Sequence, residues 1–209
     1  MTPEHILKIT NLDFHYPERT LFKDWSTAIF SGVTIIKGGD RSGKTSLLKI
    51  LAGELPIQGG KLSINKIVQK EQPDIYRSNV FWINAHDDKY NNMRVDAYFS
   101  TLATTYENFN QKNLSEAIDG LSLTQHLEKQ FLMLSTGTKR KVWLAAALSA
   151  GRKVTLLDDA FAGVDKVSIH SFVAMLNKQL IQSPQAWIIS TYHEFDGDQL
   201  PTIIDLGDD

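Results

Sequence analysis

Residues 33–48 read Val33-Thr34-Ile35-Ile36-Lys37-Gly38-Gly39-Asp40-Arg41-Ser42-Gly43-Lys44-Thr45-Ser46-Leu47-Leu48. Within them, Gly38 to Thr45 fit G-x-x-x-x-G-K-[ST], a loop that turns successive backbone N–H groups toward phosphate oxygens. Glycine supplies the backbone freedom, Lys44 can reach β- and γ-phosphates, and the Thr45 hydroxyl is placed for Mg²⁺. The flanks agree with this reading. Val33–Ile36 predicts a buried strand, and Ser46 to Leu51 predict the first turns of a helix whose positive end faces the anion.

The rest of the composition narrows the field. The 209 residues carry a formal charge of −2, with 22% charged and 42% hydrophobic, enough for a substantial core without bulk attraction to nucleic acid. There is no cysteine, which excludes disulfides, thiolate metal sites and a cysteine nucleophile. The six histidines show no paired metal-ligand spacing. Met1 to Ile6 lacks the basic and apolar regions of a secretion signal, and no apolar run approaches the ~20 residues that cross a bilayer.

Periodicity predicts an α/β chain with strands early, helices in the middle and strand–helix–strand at the end. Strands are expected at Ile6–Leu12, Lys61–Ile64, Val80–Ile83, Val154–Leu157, Trp187–Ser190 and Ile203–Leu206. Arg94 to about Leu127 reads as several short helices, and Lys166–Leu180 as a longer one. Strands alternating with helices imply a parallel sheet covered on both faces.

Two further motifs carry chemistry. Val154-Thr155-Leu156-Leu157-Asp158-Asp159 is an apolar strand ending in paired acids at the edge where ligands of such sheets sit. Asp158 is placed for the Mg²⁺ shell, and Asp159 to orient or deprotonate an attacking water. Leu134-Ser135-Thr136-Gly137-Thr138-Lys139-Arg140-Lys141 opens a helix, offering a hydroxyl and free N–H groups to an anion, or merely an N-cap. Lys139-Arg140-Lys141 reads as a solvated helix face.

The order of these motifs resembles the ATP-binding cassette (ABC) ATPase family, over nearly the whole chain. Ser135 lies 23 residues before Asp158, close to the family's spacing. The resemblance makes Gly38 to Thr45 the Walker A loop, followed by the Ser46 hydroxyl, and Tyr16 the aromatic that stacks on adenine. Ser135 and Gly137 carry the signature, Asp158 is the Walker B carboxylate, Asp165 marks the loop between subunits, and His193 is the switch histidine.

What the resemblance implies follows from those positions. The fold is an ABC ATPase: a P-loop NTPase core with a parallel sheet, an antiparallel β subdomain and an inserted α-helical subdomain. The expected layout is one domain over 1–209, with about 1–84 and 151–209 as nucleotide-binding core and about 85–150 as helical subdomain. ATP and Mg²⁺ are the expected ligands. A second ABC ATPase subunit, identical or related, would present its own Ser135, Gly137 and Asp165 to the ATP. Integral membrane permease chains are the expected partners, with the chain cytoplasmic and peripheral on the inner face; no nucleic acid is expected. The compact length is similar to haem-exporter ATPases.

The sequence departs from the family pattern at four places. Arg41 stands where a third glycine is usual. Asp159 replaces a glutamate, a shortfall on the order of 1 Å, and misplacement of that size can lower a rate roughly 10²-fold. Ala160 replaces a proline. No glutamine follows Val80–Ile83, and Ala85 or His86 takes its place, His86 being the residue able to bond a metal-bound water. These departures leave two alternatives beside a transporter subunit: a non-transport ABC ATPase, and a regulatory subunit that hydrolyses ATP weakly.

Overall fold

The computed structural model describes residues 4–83, 88–192 and 200–207. In chain order these form β1 (Leu7–Tyr16), β2 (Arg19–Ile29), β3 (Gly32–Lys37), α1 (Lys44–Ala52), β4 (Gly59–Ile64), β5 (Ile67–Val68) and α2 (Pro73–Ser78). Then come β6 (Val80–Ile83), α3 (Val95–Thr105), α4 (Gln111–Gly120), α5 (Thr136–Ser149), β7 (Val154–Leu157), α6 (Lys166–Gln182), β8 (Ala186–Ser190) and β9 (Thr202–Asp205). One sheet is parallel, in the order β6-β7-β8-β3-β9; the other is antiparallel, in the order β2-β1-β4-β5. The expected combination of a parallel core sheet, an antiparallel sheet and intervening helices is present.

Side-chain alternation divides the apolar residues into two cores, one on each face of the parallel sheet. Ile35, Phe81, Leu157, Trp187 and Ile189 face α3, α4, α5 and α6. Ile36, Val80, Val154, Leu156, Ala186 and Ile188 face α1 and the antiparallel sheet. Every residue of β7 and β8 is buried, which is why they read as continuous apolar runs. Trp187 is fully buried, and its indole N–H donates to Gln185 Oε1 at 3.2 Å.

Two elements escape the sequence pattern for identifiable reasons. β1 runs on to Tyr16 because irregular register between Ile9 and His15 bends it while it keeps pairing. Its partner β2 is half exposed and its apolar residues do not alternate cleanly, so period-2 reading misses it. The short α2 has Pro73 in its first turn and a single buried residue, Tyr76. That residue fixes α2 to α1, because its hydroxyl donates to the Leu51 carbonyl at 3.0 Å. Burial raises the Tyr76 pKa well above the usual phenol range, so the hydroxyl keeps its proton.

Tyr76→Phe leaves the Leu51 carbonyl without this donor and is expected to lower stability by about 1–2 kcal/mol. Tyr76→Ala adds a cavity and should lower it by about 3–5 kcal/mol. Urea denaturation of the two variants, with m unchanged, checks the ordering.

Candidate functional site

β7, β8 and β3 are neighbours in the parallel sheet, so their carboxyl ends open on the same edge. From β3 the chain enters the 38–45 loop and then α1. Gly43 is the N-cap at φ +100, a conformation a side chain would strain, and no side chain caps the helix. The first turn holds no acidic residue. The positive end of α1 is thus left for an external anion.

Within the loop, Lys44 Nζ donates to the carbonyls of Gly38 (2.7 Å) and Gly39 (2.6 Å). The Tyr192 ring lies 5.0 Å from the same ammonium, and its hydroxyl donates to Asp40 Oδ1 at 2.9 Å. Gly39 N–H donates to the Gly207 carbonyl, so the segment after β9 also braces the loop. Ser42 is buried, and its hydroxyl has no hydrogen-bond partner among the described residues. Arg41 sits at φ +65, in the left-handed region. That explains why glycine suits this position: a side chain in that conformation costs about 1–2 kcal/mol. The Arg41 residue itself is exposed.

The strand ends meet the loop through one carboxylate. Thr45 Oγ1 donates to Asp158 Oδ2 at 2.6 Å, and Ser190 Oγ donates to Asp158 Oδ1 at 2.8 Å. Ser190 Oγ also accepts from the Asp159 N–H at 3.2 Å. A threonine hydroxyl beside a carboxylate is a hard-oxygen donor set that fits Mg²⁺ completed by waters and phosphate oxygens. No group of three or more His, Cys, Asp or Glu that could hold a metal occurs among the described residues.

Asp159 turns the other way. It adopts φ +47, and Arg140 of α5 grips it twice: Nε donates to its carbonyl (2.8 Å) and Nη2 to Oδ2 (2.7 Å). Tyr16 reaches the loop from β1, its hydroxyl 3.1 Å from Ser46 Oγ and its ring edge-on to Phe14. The residue is 43% exposed.

Ser135 is exposed and is the N-cap of α5, accepting from Thr138 N–H at 3.2 Å. Gly137 is buried against the backbone of Gly163, whose carbonyl oxygen a Cβ there would overlap. Asp165 caps α6 through Ser168 N–H (2.9 Å) and pairs with Lys141 at 2.6 Å. The basic triplet is therefore not a solvated face. Arg140 is 7% exposed, Lys141 is ion-paired, and Lys139 donates to Asn91 Oδ1. Consecutive helix residues do not share a face, so each of the three reaches a different partner: Asn91, Asp159 and Asp165.

The structure thus gathers Gly38, Gly39, Lys44, Thr45, Ser46, Tyr16 and Asp158 at one edge, with Asp159 beside them. His193, Ala85 and His86 lie outside the described residues. Four contributors were not singled out from sequence: Ser190, Arg140, Tyr192 and Gly207. Ser190 ends an apolar strand and Tyr192 precedes His193, and those are their only sequence signals. Among the described residues, no helix is long and apolar enough to cross a membrane.

The ABC transporter family model matches residues 23–162, about two thirds of the chain. The cytochrome c biogenesis ATP-binding export protein CcmA of Reclinomonas americana is 27% identical over 183 residues, covering 83% of this chain and 82% of that protein. The ATP-binding cassette sub-family A member 17 of rat is 28% identical over 162 residues, 75% of this chain. The match spans only 9% of that much longer protein. An ABC transporter ATP-binding protein from Pyrococcus furiosus has the same fold, with TM-score 0.78, 22% identity and 96% coverage of each chain.

Two outcomes follow from the packing beneath α5. Gly137→Ala forces Cβ into the Gly163 carbonyl and is expected to lower stability by about 2–4 kcal/mol, read by denaturant midpoint. The Asp165 carboxyl is held well below the usual carboxylate range, first by Lys141 and then by the Ser168 N–H and hydroxyl. A folded value below the unfolded value of about 3.9 stabilises fully above that pH and is lost as pH falls through the folded value. The stability gap between wild type and Asp165→Asn should therefore be constant near neutrality and close on acidification below about pH 4.

Proposed function

Because the chain belongs to the ABC transporter family, we propose that it is the ATP-binding and ATP-hydrolysing subunit that powers a transporter whose membrane-spanning chains are separate. The observation that carries this reading is the convergence of Lys44, Thr45 and Asp158 at the uncapped end of α1. Their proximity supports the binding of a nucleotide triphosphate. Lys44 is held by two carbonyls that phosphate oxygens would replace, exchanging neutral acceptors for charged ones. The α1 N–H groups would take the remaining phosphate charge. Thr45 and Asp158 would hold Mg²⁺, which supplies charge neutralisation across the phosphates.

For hydrolysis, Asp159 is the group that would orient the attacking water or take its proton, and His193 would contact the γ-phosphoryl group. Tyr16 would offer its ring to adenine, beside Ser46. A second ATPase subunit would supply the Ser135–Gly137 helix start, whose exposed hydroxyl and first-turn N–H groups suit the far side of the phosphates. Binding would then close the pair and hydrolysis release it. The relatives' names support transport, and the CcmA likeness over most of both chains supports a compact subunit docked on separate permease chains at the inner membrane face.

One observation favours a second reading, a subunit that binds ATP and hydrolyses it weakly: the Asp159 carboxylate points to α5, held by Arg140. The two readings share the binding step and differ in turnover.

Lys44→Ala removes the charged donor and is expected to weaken ATP binding roughly 10²-fold, measured by calorimetry, with the melting temperature of the nucleotide-free protein little changed. An unaltered ATP affinity would overturn the assignment of this loop. For transport, purification from detergent-solubilised membranes should bring integral membrane chains with the tagged protein, and recovery from the soluble fraction alone speaks for a non-transport ATPase.

A further inference from the structure

Asp158 and Asp159 are consecutive, yet their carboxylates diverge. Asp158 is bound by Thr45 of the phosphate loop and Ser190 of the neighbouring strand. Asp159 is bound by Arg140, a residue of the helix that begins at Ser135. The Arg140 side chain is 9% exposed and that of Asp159 41%. The guanidinium spans the backbone carbonyl and the carboxylate of one residue, a two-point grip that fixes both its main chain and its side chain. The grip coincides with the left-handed backbone of Asp159, φ +47, which a non-glycine residue holds only when its surroundings enforce it.

We propose that Arg140 is a latch: a positioning residue that holds Asp159 in a resting orientation, away from the phosphate loop, and ties its release to movement of the Ser135 helix. The inference rests on the reading of Asp159 as the group that handles the attacking water. A carboxylate oxygen committed to a buried guanidinium is not available to a water at the phosphate loop. Turning Asp159 toward that loop breaks the Nη2–Oδ2 bond. Ser135 and Arg140 are five residues apart on one rigid element, so a force applied at the exposed helix start is delivered to Asp159. In a head-to-tail pair, Ser135 would touch the nucleotide held by the partner subunit while Arg140 governs the acid of its own. The latch then makes hydrolysis at one site sensitive to occupancy of the other.

The experiment is steady-state ATPase kinetics of the full chain with its natural partners, for wild type, Arg140→Gln, Arg140→Lys, Asp159→Asn and the double variant Arg140→Gln/Asp159→Asn. The latch predicts that Arg140→Gln raises kcat by about tenfold, the rate equivalent of freeing one charge-assisted hydrogen bond, with KM for ATP unchanged. Arg140→Lys keeps the charge and volume but loses the two-point grip, and should move kcat in the same direction by less. It decides the question if the Gln variant does not fold. The gain must vanish in the double variant, because it acts through Asp159. A merely structural role for Arg140 lowers melting temperature and kcat together, and that result overturns the latch. Unchanged kcat in both Arg140 variants overturns it as well. Wild-type turnover by Asp159→Asn overturns the reading of Asp159, and the latch with it. An inactive Asp159→Asn beside unaccelerated Arg140 variants overturns the latch alone.

Discussion

The carboxylate of Asp158 joins three segments that are far apart in the chain. One oxygen accepts from Thr45 at the start of α1 and the other from Ser190 at the end of β8, while the residue itself directly follows β7. Both bonds are hydroxyl-to-carboxylate, stronger than neutral pairs. They hold the phosphate loop in register with two strand ends. This is possible only because parallel pairing sets β7, β8 and β3 side by side with their carboxyl ends together. The two cores on either face make that order obligatory. A shift of one residue in β8 would exchange Ile188 for Ile189 across the sheet and turn Ser190 away from Asp158.

Much of this was legible in sequence, for physical reasons that differ by element. The parallel strands are continuous apolar runs because both faces are covered, and such runs stand out: β7 spans Val154–Leu157 in both readings. The phosphate loop is legible because its glycines answer a backbone requirement. The structure puts Gly38 at φ +144 and Gly43 at φ +100, and even Arg41 adopts the conformation a glycine would take. Thr45 and Asp158 were readable as a pair through the resemblance, and the 2.6 Å bond between them is its structural counterpart.

The rest was hidden by distance along the chain. Ser190 is one more residue of an apolar strand until Asp158, 32 positions earlier, is folded against it. Tyr192 gains its place by bonding Asp40, 152 positions away, and by setting its ring beside the Lys44 ammonium. The basic triplet misled for the same reason. Charge on a helix is normally solvated. The acids that draw Arg140 and Lys141 inward, Asp159 and Asp165, belong to the loop after β7 and the start of α6. Ser135, for which the sequence left an N-cap reading open, and Asp165, for which it did not raise one, share a character. Each caps a helix within the chain, yet each is exposed enough to meet another subunit.

The contrast between two neighbouring aspartates follows from their backbones. Asp158 directly follows β7, and its side chain meets the adjacent strand end and the loop. One residue later the chain turns through a left-handed conformation, which swings the next side chain toward α5. Arg140, buried in α5, meets it there with two hydrogen bonds. A shorter acid than the family's glutamate reaches less far from this turn. Asp158 is thus bound to the threonine at the start of α1 while the carboxylate of its neighbour is committed to α5.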